Sequence, residues 1–454
     1  MIASSTRTSR ADAYAAAVRE LTSRGHFGIS LGLERIGAIL DELDHPERAL
    51  HGALVAGTNG KGSVVAMARS VLAAAGLRVG TMPKPHLVSY RERIAIDGVA
   101  LDEERFAAAV ARVLPAVDRV ATRLGPPTEF ETLTAAAFAE LARSPIDLAL
   151  VEVGMGGRLD ATNALDAGVA VITNVQHDHE RHLGRTLAAI GGEKAAIIKA
   201  GNLAVTGATG RGLRPIAERA HSLGVPLRLA GRGRPYRANL RHAGWDGLLV
   251  DAATPDGELA ELRIGLLGGH QAANAATALA LLDALRDEAA RRGVPLGPID
   301  EDAVRRGLAA ARWPGRMELL EGTSYGRVLL DGAHNPAGGR ALAAALAELR
   351  VRSFPLVFGA MRGKRVAAIL RTLAPLHPRP IFTAVDEAQA RSPRSLHATW
   401  QRIGEGGQTA DRPADAMRMA AVLSRDDEAP IVVAGSLYLV GAVRGMLTGD
   451  EAAA

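Results

Sequence analysis

The sequence predicts an α/β protein of two domains, each built around a largely parallel sheet. Three observations carry that expectation. Short apolar runs alternate with Ala/Leu-rich stretches along the chain, the pattern of strands joined by crossover helices. At 454 residues the chain is longer than one hydrophobic core sustains. The alternation breaks at Arg312-Trp313-Pro314-Gly315-Arg316, where Pro-Gly is strong punctuation, and then restarts. Residues 1–312 and 313–454 are expected to form separate domains.

Taken in order, the first domain should hold strands near residues 54–56, 147–153 and 169–174. A helix follows Gly62 and ends near Gly76, and another covers 133–143. Residues 203–266 differ, with shorter strand-like runs, many Gly and Arg, and little helix; antiparallel strands are expected to close the domain there. A helix over 272–291 follows. The second series places strands near 328–330, 355–358, 380–384 and 431–434, with helices between them.

Composition narrows the function classes. Aromatics are only 3% of residues, which leaves the core to Ala, Val, Leu and Ile and argues against stacking platforms for single-stranded nucleic acid. The net charge of +5 is small for this length, and its basic residues are interspersed with acidic ones. Where they cluster, as over 232–241, a solvated face is expected. The surplus suits an acidic small molecule. The absence of cysteine excludes disulfides, thiolate zinc sites and cysteine nucleophiles. Residues 1–14 lack the apolar stretch of a secretory signal, and no window is apolar enough to span a bilayer. A cytoplasmic monomer without nucleic-acid or membrane partners is expected.

The run Gly57-Thr58-Asn59-Gly60-Lys61-Gly62-Ser63 passes from a buried strand through a Gly-rich turn into a helix. Amides at such a helix start surround phosphate oxygens, and the helix dipole favours their charge. Lys61 adds a cation, and Ser63 can reach a bound magnesium ion. The strict G-x-x-x-x-G-K-[ST] pattern does not fit, because Val55 stands at its first Gly and Gly62 follows the lysine. A plain tight strand–helix turn is the alternative. The flanking strand and helix favour a nucleotide.

Further motifs follow in a set order. Leu31-Gly32-Leu33-Glu34-Arg35-Ile36 precedes the loop. After it come Pro85-His86-Leu87, Arg91-Glu92-Arg93-Ile94, Thr128-Glu129-Phe130-Glu131, and the stretch from Glu152 through Gly154-Met155-Gly156-Gly157-Arg158-Leu159-Asp160-Ala161 to Asn163. Then stand Asp178-His179, Glu193-Lys194-Ala195, His270-Gln271 with Asn274, Pro314-Gly315-Arg316, Asp331-Gly332-Ala333-His334-Asn335-Pro336 and Gly435-Ser436-Leu437-Tyr438. Any one alone is weak; the set in this order is specific. It resembles the folylpolyglutamate and dihydrofolate synthases of the Mur ligase superfamily, in the bifunctional bacterial form.

That resemblance implies a P-loop ATP-binding domain with a doubly wound sheet and a smaller Rossmann-like domain, with the active site in the cleft between them. It implies an ADP-forming ligase that uses ATP and two Mg2+ ions to join L-glutamate to dihydropteroate or a reduced folate. The carboxylate is first phosphorylated, because it is a poor acyl donor until an oxygen becomes a good leaving group. The protein positions the reactants and offsets charge. A Mur-type ligase acting on a UDP-muramyl substrate and a P-loop NTPase switch are the rival readings. Domain closure is expected to gate turnover.

The resemblance also assigns roles. Gly57 through Ser63, Asn274, Arg316 and Asp331 would contact ATP, with Lys61 catalytic. Glu152 ends a strand at the sheet's usual ligand edge and would bind magnesium with Ser63; hydrogen bonds from the Gly-rich turn after it are the alternative. His179 would serve a second magnesium, leaving His177 and His182 on the surface, although the local His cluster alone also reads as a transition-metal site. Lys194 matches a lysine carbamylated by carbon dioxide; without the resemblance it reads as an exposed helical lysine. Ile29, Ser30 and Leu31, Thr128, Glu129, Phe130 and Glu131, and Leu159, Asp160 and Ala161 would line the pterin site. The alternative for Thr128 and Glu131 is helix capping, and for Asp160 an ion pair with Arg158. His334 and Ser436 would hold glutamate, or else make loop hydrogen bonds.

Two positions depart from the family pattern. Lys84 and His86, both expected to contact substrate, occupy a Lys-Pro-His-Leu run where the family has Ser-Pro-His-Leu, whose serine binds magnesium. An ammonium cannot ligate a cation, so Ser63 or water takes that place, or Lys84 lends its charge to the phosphates. The Asp-Lys-Asp expected after Met361 is Gly363-Lys364-Arg365.

Overall fold

The computed structural model describes residues 2–25, 32–294, 296–424 and 429–449. Eight strands form the first sheet: β1 (Gly52–Ala56), β2 (Val79–Met82), β3 (Ala95–Ile96), β4 (Val99–Ala100), β5 (Leu148–Glu152), β6 (Gly168–Ile172), β7 (Leu203–Thr206) and β8 (Leu227–Leu229). Their order is β4-β3-β2-β5-β1-β6-β7-β8, parallel from β2 through β8, with β3 and β4 added antiparallel at one edge.

Period-two alternation gives this sheet two apolar faces. Leu54, Ala56, Val151 and Ile172 face a core shared with Phe106, Leu133 and Phe138 from the helices Glu103–Leu124 and Glu129–Arg143. Ala53, Val55, Leu150 and Val171 face a second core with Val64 and Met67 of the helix Lys61–Ala74 and Ala275 and Leu279 of the helix Gln271–Arg291. The sheet is doubly wound. Strand order reverses at β1, which pairs with β5 on one side and β6 on the other, so the carboxyl ends of these three strands form the crevice where such sheets take ligands.

Residues 203–266 depart from the antiparallel expectation. β7 and β8 extend the parallel sheet, joined by the helix Gly210–Ser222, whose apolar face carries Ile216 and Ala220. Only β9 (Arg237–Gly244), β10 (Gly247–Thr254) and β11 (Gly257–Ile264) are antiparallel, a separate sheet in the order β11-β10-β9. Its Leu248, Val250, Leu262 and Ile264 join the second core.

Six strands build the last sheet: β12 (Glu318–Thr323), β13 (Gly326–Asp331), β14 (Pro355–Phe358), β15 (Arg379–Phe382), β16 (Gln408–Thr409) and β17 (Ile431–Ala434). The order is β12-β13-β17-β14-β15-β16, parallel except for β12. Leu329, Phe358 and Val432 face one apolar layer, and Leu330, Val357 and Val433 the other. Among the described residues, no helix is long and apolar enough to cross a membrane.

Candidate active site

The loop after β1 starts from close packing. Gly60 caps the helix Lys61–Ala74 at φ +81°, a conformation that L side chains rarely adopt, and a Cβ there would collide with Asn274. A Cβ at Gly62 would come within 2.6 Å of the Trp313 ring, so the indole lies directly on the loop. Residues after β6 brace the turn: Asn59 N donates to Asn174 Oδ1 at 3.0 Å, and the Thr58 hydroxyl donates to the Gln176 carbonyl at 3.1 Å. The first helical amides, from Lys61 to Ser63, have no intrahelical acceptors. The Ser63 side chain is buried and lines a cavity of about 1090 Å³.

Glu152 closes β5 beside this loop. Its Oε1 is 3.7 Å from Lys61 Nζ, and its Oε2 accepts the Lys84 amide at 3.2 Å. Burial pushes its pKa up, opposed first by the Lys61 charge. Lys194 is not the exposed lysine its local sequence suggests. It is 3% exposed, and its ammonium donates to the Gly57 carbonyl at 3.1 Å. Burial, then the Lys61 charge, lowers its pKa to about 7.

His179 follows β6 at φ +50° with its side chain 44% exposed; desolvation, more than any charge, lowers its pKa to about 4 and keeps the imidazole neutral. His177 and His182 are exposed.

A second wall comes from two caps. Thr128 heads the helix Glu129–Arg143 in a reciprocal box: Glu131 N donates to Thr128 Oγ1 at 3.2 Å, and Thr128 N donates to Glu131 Oε2 at 2.8 Å. The box holds Glu129 and Phe130 at the cavity. Asp160 heads the turn Ala161–Ala164, accepting from Thr162 N at 3.1 Å and Met155 N at 2.8 Å. It does not pair with Arg158, which reaches Glu193 at 2.9 Å instead. Leu159 and Ala161 line the cavity beside it. Ile29, Ser30 and Leu31 lie outside the described residues.

Lys84 ends on this wall, with its ammonium 3.4 Å from the Phe130 ring centroid. Burial lowers its pKa to about 8 against the nearby Asp160 charge. His86, expected to contact substrate, does not line the cavity; its Nδ1 accepts from Arg93 Nε at 2.9 Å, and its ring lies 4.3 Å from the Tyr90 ring, tilted by 46°. Burial and the Arg93 charge lower its pKa to about 3, so it stays an acceptor.

The last sheet closes the cavity from the other side. Asp331 ends β13, with its carboxylate accepting Met317 N at 3.0 Å and Ala333 N at 2.9 Å; burial raises its pKa against the Arg316 charge. His334 Nδ1 lies 2.8 Å from the Gly332 carbonyl. Ser436 is buried and caps the helix Leu437–Thr448, accepting Tyr438 N at 3.2 Å. Loop and cap hydrogen bonds therefore occur at both positions, beside the cavity that both line.

Sequence reasoning gave no role to the residues that clasp the two sides. Asn335 Nδ2 donates to Asn59 Oδ1 at 3.1 Å and to Asp178 Oδ2 at 3.0 Å, and Lys364 Nζ reaches Asp178 Oδ1 at 3.1 Å. Burial pushes the Asp178 pKa up, but His334 and the Lys364 charge outweigh it and hold the carboxyl well below its usual range. The lysine in the divergent Gly363-Lys364-Arg365 run thus has a partner across the cleft.

Among the described residues, no three His, Cys, Asp or Glu side chains converge as a metal cage. Beside the loop over 57–63, the Glu152 carboxylate, the Ser63 hydroxyl and the neutral His179 ring line the cavity as candidate donors. So few donors fit a magnesium ion completed by phosphate oxygens and water, and do not fit a self-sufficient protein site.

A nucleotide-type loop, a terminal carboxylate and a clasped second sheet are joined in one cavity, and comparison with known proteins agrees with them. Residues 55–282 match the Mur ligase middle domain, and residues 315–437 match the Mur ligase glutamate ligase domain. The chain is 33% identical to the dihydrofolate synthase/folylpolyglutamate synthase of Bacillus subtilis (strain 168), over 96% of this chain and 99% of that one. It belongs to the folylpolyglutamate and dihydrofolate synthase family of Mur ligases. Among the solved members, Mycobacterium tuberculosis folylpolyglutamate synthase complexed with ADP superposes with a TM-score of 0.87, at 32% identity, over 96% of this chain and 98% of that one. E. coli FolC in complex with DHPP and ADP superposes with a TM-score of 0.81, at 29% identity and the same coverage of 96% and 98%.

Proposed function

We propose that the protein is an ATP-dependent ligase that adds L-glutamate to dihydropteroate or to a reduced folate, through an acyl phosphate. One observation carries the reading: a single cavity joins the loop over 57–63 and Glu152 to the wall of Phe130 and Asp160, and to His334 and Ser436 from the last sheet. Whole-length identity to a synthase of this activity supports it.

In the first step a substrate carboxylate oxygen attacks the γ-phosphorus of ATP, and the bond to the bridging β,γ-oxygen breaks to release ADP. Lys61 and the amides of the loop hold the triphosphate, and Arg316 adds a guanidinium from the far side of the cleft. In the second step the glutamate amino group attacks the acyl carbon, loses a proton, and the C–O bond to phosphate breaks, leaving an amide. His334 and Ser436 orient the glutamate. A magnesium ion held by Glu152 with Ser63, and a second one served by His179, would neutralise phosphate charge. Lys194, held with a lowered pKa, is suited to react with carbon dioxide as a neutral amine, and the resulting carbamate would place an anion beside Lys61.

The test is ADP release from Mg-ATP with dihydropteroate, reduced folates and UDP-muramyl acids, each with and without glutamate. Release that needs both a pteridine and glutamate is expected. Release with UDP-muramyl acids alone, or without glutamate, would replace this reading by one of its rivals.

A further inference from the structure

Lys84 is a charged side chain whose nearest counter-charges, Asp160 first, stand by without forming an ion pair with it. Its ammonium makes no ion pair or hydrogen bond with any described residue, and it packs on the face of Phe130, 3.4 Å from the ring centroid. The carboxylates around it are engaged. Asp160 accepts from Met155 N at 2.8 Å and from the Thr162 hydroxyl at 2.6 Å, while Glu129 accepts the Tyr90 hydroxyl at 2.9 Å. A second cation stands on the same wall: Arg93 is buried with its Nη1 unpaired. An aromatic face offsets part of the cost of holding an ammonium out of water, but not all of it. Two under-satisfied cations lining one cavity call for an anion that arrives from the cavity.

The position says which anion. The Lys84 main chain is tied to the phosphate side, where its amide donates to Glu152 Oε2 at 3.2 Å. The side chain runs to the opposite wall and ends over Phe130, packed so closely on Gly154 that any Cβ there would collide with the ammonium. It therefore spans the gap between the group that is phosphorylated and the ring system that carries it. Resting on the ligase reading, we infer that Lys84 binds the acceptor's reacting carboxylate, fixing the acyl donor beside the γ-phosphate with a side-chain cation.

The inference predicts discrimination by charge. In the presence of a non-hydrolysable ATP analogue, the wild-type protein should bind dihydropteroate more tightly than the analogue whose carboxylate is a neutral carboxamide, by roughly ten- to a hundredfold, the worth of a hydrogen bond to a charged group. Lys84→Met should reduce that ratio to about twofold or less, the level expected once the charged partner is gone. Lys84→Arg, which keeps the charge, should retain part of the preference. The KM for dihydropteroate should rise in Lys84→Met by the factor lost in binding, while affinity for the ATP analogue stays unchanged in both variants. That unchanged affinity also reports an intact fold. A Lys84→Met protein that keeps the wild-type preference would overturn the inference, as would a wild-type protein that binds both pteridines equally while still releasing ADP only with pteridine and glutamate. Failure of the wild-type protein to bind any pteridine would instead overturn the ligase reading beneath it.

Discussion

Lys61 and Lys194 donate to the same carbonyl oxygen, that of Gly57, at 3.2 and 3.1 Å. Lys194 is the more deeply buried of the two, so desolvation weighs most on it, and repulsion between two ammonium groups on one acceptor adds to that cost. The lowered pKa of about 7 follows.

A neutral amine at neutral pH reacts with carbon dioxide. Enzyme stripped of bicarbonate at pH 6 should lose most of its ligase rate and regain it when bicarbonate is restored at pH 8. Lys194→Ala should fall by on the order of a hundredfold, as for loss of one preorganised charge, with partial recovery in short carboxylic acids. Steady-state rates check both.

The same shift has a stability consequence. Lys194 titrates near 7 in the folded chain against 10.5 ordinarily, so the unfolded state binds more protons between those values. The penalty is complete below about pH 7 and is relieved as pH rises towards 10.5. Urea unfolding in bicarbonate-free buffer should show wild type gaining stability relative to Lys194→Met across that window.

Asp178 accepts Asn335 and Lys364 across the cleft. Asp178→Ala leaves Lys364 without its anion and should loosen the clasp. Small-angle scattering with a non-hydrolysable ATP analogue should then show less compaction than in wild type. Equal compaction would mean that other contacts hold the two sides together.

Thr128 accepts a helix amide, that of Glu131, at a buried position, so Thr128→Ala should cost about 1 kcal/mol of stability, and it should also raise the KM for the pteridine, because the box aims Phe130. Denaturant midpoints and kinetics on one preparation separate the two effects.

Glu152→Gln keeps the side chain's shape and removes its charge. The magnesium concentration that gives half-maximal rate should rise by at least about tenfold, the scale on which loss even of an outer-shell partner weakens metal binding. Titration with the metal checks it.

Much of this architecture was legible locally. Strands such as β1, β5 and β17 are short uninterrupted apolar runs because both faces of their sheets are covered. β3 and β4 escaped notice because two residues each carry no period. β7 and β8 were misjudged because the helix between them has only a narrow apolar stripe among charged residues. At the site, Glu152 and the loop over 57–63 stand out because strand ends and helix starts mark themselves in sequence. Lys194 does not, since its burial depends on the Gly57 carbonyl and on Gly157, where a Cβ would come 3.2 Å from its Cα. Nor does the pairing of Lys364 with Asp178, whose partners meet only because two sheets meet.

The most direct test of the central claim follows oxygen. Dihydropteroate labelled with 18O in its carboxylate should, with glutamate and Mg-ATP, transfer one labelled oxygen to the inorganic phosphate for every amide formed. Unlabelled phosphate, with the displaced label found in water instead, would contradict activation at the loop over 57–63 through an acyl phosphate.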